Sequence, residues 1–332
     1  MKHIPVLKKE IVETFQYLKN KDGYFVDGTL GAGGHSLAIA NRIKNKAMPT
    51  GRQELRIKII GIDKDQDALN MAKENVDKAG LKGDFIFVHD DFKNIKNILN
   101  EKIPRLRSGR LRRINGALID LGVSSMQLDN KERGFSFMDA EAKLDMRMDQ
   151  SQDLSAFDVI NYYQAEKLEK IFREYGEEKF YKYISKNICR ARKEAPIEKV
   201  GELLAILEKS IPPRVIATSK KHYATNVFRA LRLEVNQELT QLDHALYDFI
   251  DALDAGARLA VISFHSTEDR IVKETFRKAE KPCICPPLAP ICTCWKKPLV
   301  KIITKKPLVA DENELKVNPR SRSAKLRVVE RL

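Results

Sequence analysis

A short apolar run that ends on a glycine-rich turn and continues into a helix constrains this chain more than any other feature. Tyr24-Phe25-Val26 leads into Gly28-Thr29-Leu30-Gly31-Ala32-Gly33-Gly34, and a helical stretch follows from His35 to about Ile43. Further apolar runs at 57–62, 85–88 and 116–119 alternate with helical periodicity such as that of 68–79. Strands alternating with helices predict an α/β fold on a parallel, doubly wound sheet. A helix is expected around 11–18. The strand pattern fades from about 128 to 236, where 165–175, 179–192 and 200–210 read as helices. One long helix is expected over 225–253, after which Gly256-Ala257-Arg258 turns the chain into a strand at 259–264. The expected organisation is a sheet domain in two parts, 1–127 and 237–332, carrying an inserted helical domain at 128–236.

Charge narrows the partners. The 332 residues hold 60 Lys+Arg against 46 Asp+Glu, a formal net charge of +14 that attracts a polyanion and makes its binding salt-dependent. Two basic stretches, 44–56 and 105–113, read either as nucleic-acid contacts or as solvated loops. No run of about 18 apolar residues is present and the start MKHIPVLKKE lacks the apolar core of a signal peptide, so the expectation is a cytoplasmic protein with no membrane partner.

A glycine turn between strand and helix brings backbone N–H groups close to a ligand. Asp63 ends the second strand, where an acid can accept hydrogen bonds from a ribose diol. It lies farther from the glycine turn than the roughly 20 residues of the usual nucleotide fingerprint, and the basic stretch 44–56 is the excess. The third and fourth strands end in His89-Asp90-Asp91-Phe92 and Asp120-Leu121-Gly122-Val123-Ser124-Ser125, again at the edge where ligands gather on this topology. These features suit a nicotinamide-dependent dehydrogenase or a methyltransferase, since both seat an adenosine in that crevice. No motif for hydride transfer is found. Ser266 and Asp269 read as a helix-capping pair.

The blocks HIPVL, DGTLGAGGHS, GIDKD, DLGVSSMQLD, RGFSFM, LDMRMD, ISFHSTEDRIVK and NPRSRSAKLR, spread in this order over nearly the whole chain, resemble the bacterial 16S rRNA cytosine-N4 methyltransferase family called MraW or RsmH. That resemblance implies a Rossmann-like class I methyltransferase sheet with an inserted α-helical substrate domain. It implies S-adenosyl-L-methionine as cofactor, a cytidine of the 16S rRNA decoding region in the small ribosomal subunit as substrate, and a homodimer. It places Gly33, Gly34 and His35 on the methionine and ribose side, Asp63 on the ribose, Phe92 near the adenine, and Asp120 and Gln127 at the remaining edge. Asp120 is also the candidate catalytic acceptor for the cytosine amino group, although the Asp/Asn-Pro-Pro-aromatic motif of DNA amino-methyltransferases is replaced here by Asp-Leu-Gly-Val-Ser-Ser. The alternative is a catalytically inactive, RNA-binding assembly factor of the same fold, since Arg229 and Thr267 depart from the family pattern. The segments 133–138 and 144–149 put aromatics, Met and Arg next to the candidate site in sequence, suited to stacking a base or to packing as a loop.

Cys283, Cys285, Cys292 and Cys294 are crowded together and could hold a structural zinc, but their Cys-x-Cys spacing is tighter than the usual Cys-x2-Cys. The reaction needs no metal, and none is assigned to the site.

Overall fold

The computed structural model describes residues 4–44, 57–104, 113–124, 127–128, 130–219, 221–286, 291 and 293–332. Most of the basic stretches, together with Ser125 and Cys292, lie outside them. The chain divides into two compact units, Met1–Gly122 with Gln241–Leu332, and Val123–Thr240.

The first unit is built on a seven-stranded sheet ordered β3-β2-β1-β4-β5-β7-β6. Its strands are β1 (Gly23–Asp27), β2 (Ile57–Asp63), β3 (Phe85–His89), β4 (Ile114–Asp120), β5 (Leu253–Ser263), β6 (Val300–Ile302) and β7 (Lys325–Arg331). β1 to β5 are parallel, whereas β7 runs antiparallel to β5 and β6 antiparallel to β7. The sheet is therefore not wholly parallel as the sequence pattern suggests. The short polar lead-in to β7, a tight turn at Pro319–Ser323, hides that strand from a periodicity argument.

Alternate residues of each central strand feed opposite cores, as the two-residue period of a pleated strand requires. Val26, Ile60, Ala117, Ile119, Leu259 and Val261 pack with Leu246, Phe249, Ile250, Val272 and Phe276 from the helices on one face. Phe25, Ile59, Leu118, Ala260 and Ile262 pack with Ile11, Phe15, Leu18, Ile39 and Ile43 on the other. Cover on both faces is what makes these strands continuous apolar runs and so legible in the sequence.

Three expected elements differ. The first helix spans only Lys8–Thr14 and passes into a tighter turn at Gln16–Asn20. Residues 225–253 form two helices, Thr225–Val235 in the second unit and Leu242–Ala252 in the first. The break falls where Asn236 turns its side chain to accept from the Met148 N–H and donate to the Met146 carbonyl, and where Gln237 and Gln241 adopt positive φ. Both helices are apolar on one face, so the periodicity runs on across a break made by side-chain hydrogen bonds. β5 starts early, at Leu253, and carries Gly256 at φ +76° through a slip in register against β4, from Ile114↔Leu253 to Gly116↔Arg258.

The helix Ser266–Glu280 is tied to β7 by ion pairs. Asp269 accepts from Arg327 Nε at 2.6 Å and Nη2 at 3.2 Å, and from Lys325 Nζ at 3.1 Å. Its capping differs from the expectation. The N-cap is His265, whose Nδ1 accepts from the Glu268 N–H, because Asp269 is committed to the sheet.

The second unit gathers Ala156–Tyr162, Ala165–Glu174, Tyr181–Ala191, Val200–Ser210 and Thr225–Val235 around one helical core. Among the described residues no helix is long and apolar enough to cross a membrane.

Burial works to raise the Asp269 carboxyl, but the hydrogen bonds and charges of Arg327 and Lys325 outweigh it and hold the group below its ordinary range. Asp269→Asn should cost about 2 kcal/mol, between the value of an exposed pair and that of a fully buried one. The group's folded pKa is depressed, so its stabilisation is present above about pH 4 and disappears as pH falls through the folded value. Urea unfolding curves of the two proteins should be separated at pH 7 and converge toward pH 3.

Candidate functional site

The site grows from the point where strand order reverses. β1 lies between β2 and β4, and its last residue, Asp27, is level with Gly61 and Leu118. Asp63 and Asp120 thus each extend two residues beyond the end of β1, leaving a notch over which the glycine loop must cross. Open α/β sheets bind ligands in such a notch.

The loop is pinned on both sides of it. Gly28 N–H donates to Leu118 O and the Asp120 N–H donates to Thr29 Oγ1, at 2.8 and 2.6 Å, on the β4 side. Leu30 N–H donates to Ile62 O at 2.8 Å and Gly31 N–H to Asp63 Oδ2 at 2.7 Å on the β2 side. Gly31 and Gly33 take positive φ, 52° and 81°, which favours glycine. A side chain at Gly34 would strike Pro5, whereas one at Gly31 would meet nothing within 4 Å. The loop is packed from behind and open in front.

Asp63 accepts from Gly31 on one oxygen and from the Asp65 N–H, at 2.9 Å, on the other. Burial pushes its carboxyl up to about 6 against those two N–H groups. Asp27 is 1% exposed, accepts from Ser36 Oγ at 2.6 Å and from Thr29 N–H, and is also raised by burial. Neither Asp27 nor Thr29 stands out in the sequence. The signal available was the position of Asp27 at the end of β1, equivalent to Asp63 and Asp120.

His35 is buried on the first turn of the helix Gly34–Ile43, with Nε2 3.7 Å from Asp120 Oδ2. Both ring nitrogens and Asp120 Oδ1 are buried without a hydrogen-bond partner among the described residues. An unsatisfied buried polar atom costs about 1–3 kcal/mol, so these three atoms mark where a polar ligand group would be stabilising.

The contrast with the other end of the sheet is instructive. There Tyr17 Oη donates to Asn115 O and accepts from Arg258 N–H, at 2.7 and 3.0 Å, and Asn115 Oδ1 accepts from Tyr24 N–H. Burial pushes the Tyr17 phenol up to about 12, so it stays a neutral donor. That end is closed by its own groups.

Past β3, Asp90 Oδ1 accepts from Asp91 N–H and Asn94 Nδ2, both at 2.7 Å. Phe92 is half-buried beside Gly28 and 6.4 Å from Phe249, at the border between core and notch. Past β5, His265 Nε2 lies 2.8 Å from Glu268 Oε1, and Glu268 Oε2 accepts from the Phe264 N–H, so both side chains brace the strand-to-helix turn.

The structure thus brings Gly33, Gly34, His35, Asp63, Phe92 and Asp120 to one edge of the sheet. Gln127 belongs to the second unit, where it is buried and its Oε1 accepts from the Ser124 N–H. In that unit the motif residues Phe135, Leu144, Met146 and Met148 are core, and Arg133 Nη2 donates to the carbonyls of Arg147 and Met148. Packing, not stacking on a base, accounts for those side chains. Arg229 donates to the Tyr175 and Gly176 carbonyls and so closes a helix end, Thr267 is buried, and Arg113 donates to Leu253 O. What the surface of this unit does present is an aromatic stack. The exposed His222 lies 4.2 Å from Phe137 and 4.4 Å from Tyr223, nearly parallel to the first.

The sequence matches the MraW methylase family over residues 1–332. It is 45% identical over 332 residues to the ribosomal RNA small subunit methyltransferase H of Finegoldia magna, covering 100% of this chain and 99% of that one. Identity is 44% over 331 residues to the protein of that name from Clostridium botulinum, with 100% and 99% covered. It is 42% over 330 residues to the ribosomal RNA small subunit methyltransferase H 2 of Agathobacter rectalis, with 99% and 98% covered. A match from end to end, on a sheet whose notch is open and polar, makes this chain a member of the MraW methylase family.

Proposed function

We propose that this protein transfers the methyl group of S-adenosyl-L-methionine to the N4 amino group of a cytidine in the decoding region of 16S rRNA, within the small ribosomal subunit in the cytoplasm. The observation that carries the reading is the polar edge of the notch, where His35 and Asp120 hold three buried atoms without partners among the described residues, in a chain of this family.

The residues suit the cofactor. Gly33, Gly34 and His35 would take its methionine and ribose side, Asp63 the ribose hydroxyls and Phe92 the adenine region, with Asp120 at the remaining edge. Bound S-adenosyl-L-methionine supplies a methyl carbon on a positively charged sulfur, already activated for displacement. The chain's own work is orientation. A cytosine amino group is a poor nucleophile because its lone pair is delocalised into the ring. Asp120 Oδ1, buried at the end of β4 without a partner among the described residues, would accept an amino hydrogen and fix the nitrogen in line. His35 Nε2 lies 3.7 Å from the other carboxylate oxygen.

The inserted unit, expected over 128–236, would recognise the RNA. An unpaired base would join the stack of Phe137, His222 and Tyr223 at the exposed His222, and the net charge of +14 supports phosphate contacts.

Labelled methyl supplied as S-adenosyl-L-methionine to small subunits lacking the modification should appear as N4-methylated cytidine by nucleoside mass spectrometry. Asp120→Ala should lower that rate by about 100-fold or more while the protein remains folded. Absence of label with normal cofactor binding would defeat the reading.

The raised Asp63 carboxyl makes a second prediction. Above about pH 6 it is ionised and keeps lone pairs for ribose hydroxyls beyond the two N–H groups it already accepts. Protonation as pH falls from 7 to 5 removes acceptor capacity, so calorimetric affinity for S-adenosyl-L-methionine should weaken over that range. Asp63→Asn should bind about tenfold more weakly at pH 7 and lose this pH dependence.

A further inference from the structure

Between the end of the helix Ser266–Glu280 and the start of β6, the chain leaves the sheet and returns. Its described residues form no helix or strand, and Leu299 N–H closes the excursion by donating to Ala279 O at 2.9 Å. Among its described residues, the large apolar side chains at its centre are not packed away. Ile284, Ile291 and Trp295 are 70, 73 and 83% exposed, and Trp295 takes a positive φ of 54°. A segment this short, with its apolar side chains in water, needs a different kind of staple.

Three thiols converge there. The Sγ atoms of Cys283, Cys285 and Cys294 all lie within 4.8 Å of one another. Cys283 and Cys294 are 3.7 Å apart, well beyond the roughly 2.05 Å of a disulfide. Two thiolates on a tetrahedral zinc at about 2.3 Å each would be about 3.8 Å apart. Cys285 Sγ accepts from the Thr293 N–H at 3.3 Å, the kind of outer hydrogen bond that orients a metal-bound thiolate.

We propose that Cys283, Cys285 and Cys294 bind a zinc ion that folds this excursion, a structural site separate from the methyl-transfer notch. The tight Cys-x-Cys spacing does not prevent it, because the third sulfur, that of Cys294, comes from farther along the chain. Thiolates select a soft divalent ion over magnesium or calcium, and zinc brings no redox chemistry. The site serves shape, keeping the knuckle that carries Ile284, Ile291 and Trp295 in one conformation.

The test uses the full-length protein, purified with a non-thiol reductant and dialysed against metal-free buffer. Elemental analysis should find about one zinc per chain. Cys283→Ser with Cys294→Ser should lower that at least about tenfold, whereas Cys189→Ser, in the second unit, should leave it unchanged. Cobalt replacing the zinc should give the near-ultraviolet thiolate band and tetrahedral visible bands, absent from the double variant. Because the cluster is exposed, the double variant should keep its far-ultraviolet circular dichroism and show faster proteolysis within 281–299. Equal metal content in wild-type and double-variant protein would overturn the proposal. So would a reduced wild-type protein that takes up neither zinc nor cobalt. A cysteine pair recovered as a disulfide with no metal bound would overturn it as well.

Discussion

Everything at the site depends on β1 stopping two residues before its neighbours. Parallel pairing of Asp27 with both Gly61 and Leu118 leaves Asp63 and Asp120 standing on either side of a gap. The glycine loop then crosses this gap, pinned to Ile62 and Asp63 on one side and to Leu118 and Asp120 on the other. Those bonds satisfy the loop's rear groups and leave its front clear. An elongated β1 would fill the notch with ladder hydrogen bonds, and the side chains now facing it would have nothing to address.

Polar satisfaction separates the two ends of the sheet. At the closed end, Tyr17 bonds to both Asn115 O and the Arg258 N–H, and Asn115 Oδ1 accepts from the Tyr24 N–H. At the open end, burial raises the carboxyls of Asp27 and Asp63, while His35 and Asp120 keep atoms without partners among the described residues. A fold tolerates such costs where a ligand offsets them, which supports the proposed reading of this edge. The antiparallel strands β6 and β7 add the opposite quality. They extend the sheet and, through Arg327 and Lys325 on Asp269, fasten the helix that follows β5.

Part of this could be read from residue order. β1 to β4 are visible because strands buried on both faces must be apolar throughout, and the acids that follow them mark the ligand edge. Family blocks such as DGTLGAGGHS and DLGVSSMQLD point to the same chemistry. Other features were hidden for definite reasons. Asn236 breaks a helix through bonds to Met146 and Met148, about ninety residues away in sequence. Asp269 looks like a capping partner for Ser266 until β7 arrives with Arg327 to claim it. Phe135, Met146 and Met148 have the composition of a base-stacking surface, and only their burial shows that they are core.

The sequence by itself determined the α/β class, the succession of the first four strands along the chain, the glycine loop and the acids that end its strands. Local periodicity and residue chemistry suffice for these, since each depends on neighbours close along the chain. Tertiary structure alone decided which polar atoms stay unsatisfied, which motif residues are packed away, and that three cysteines meet. Each of those is set by groups distant in sequence competing for the same partner or the same space, and no local pattern records who wins.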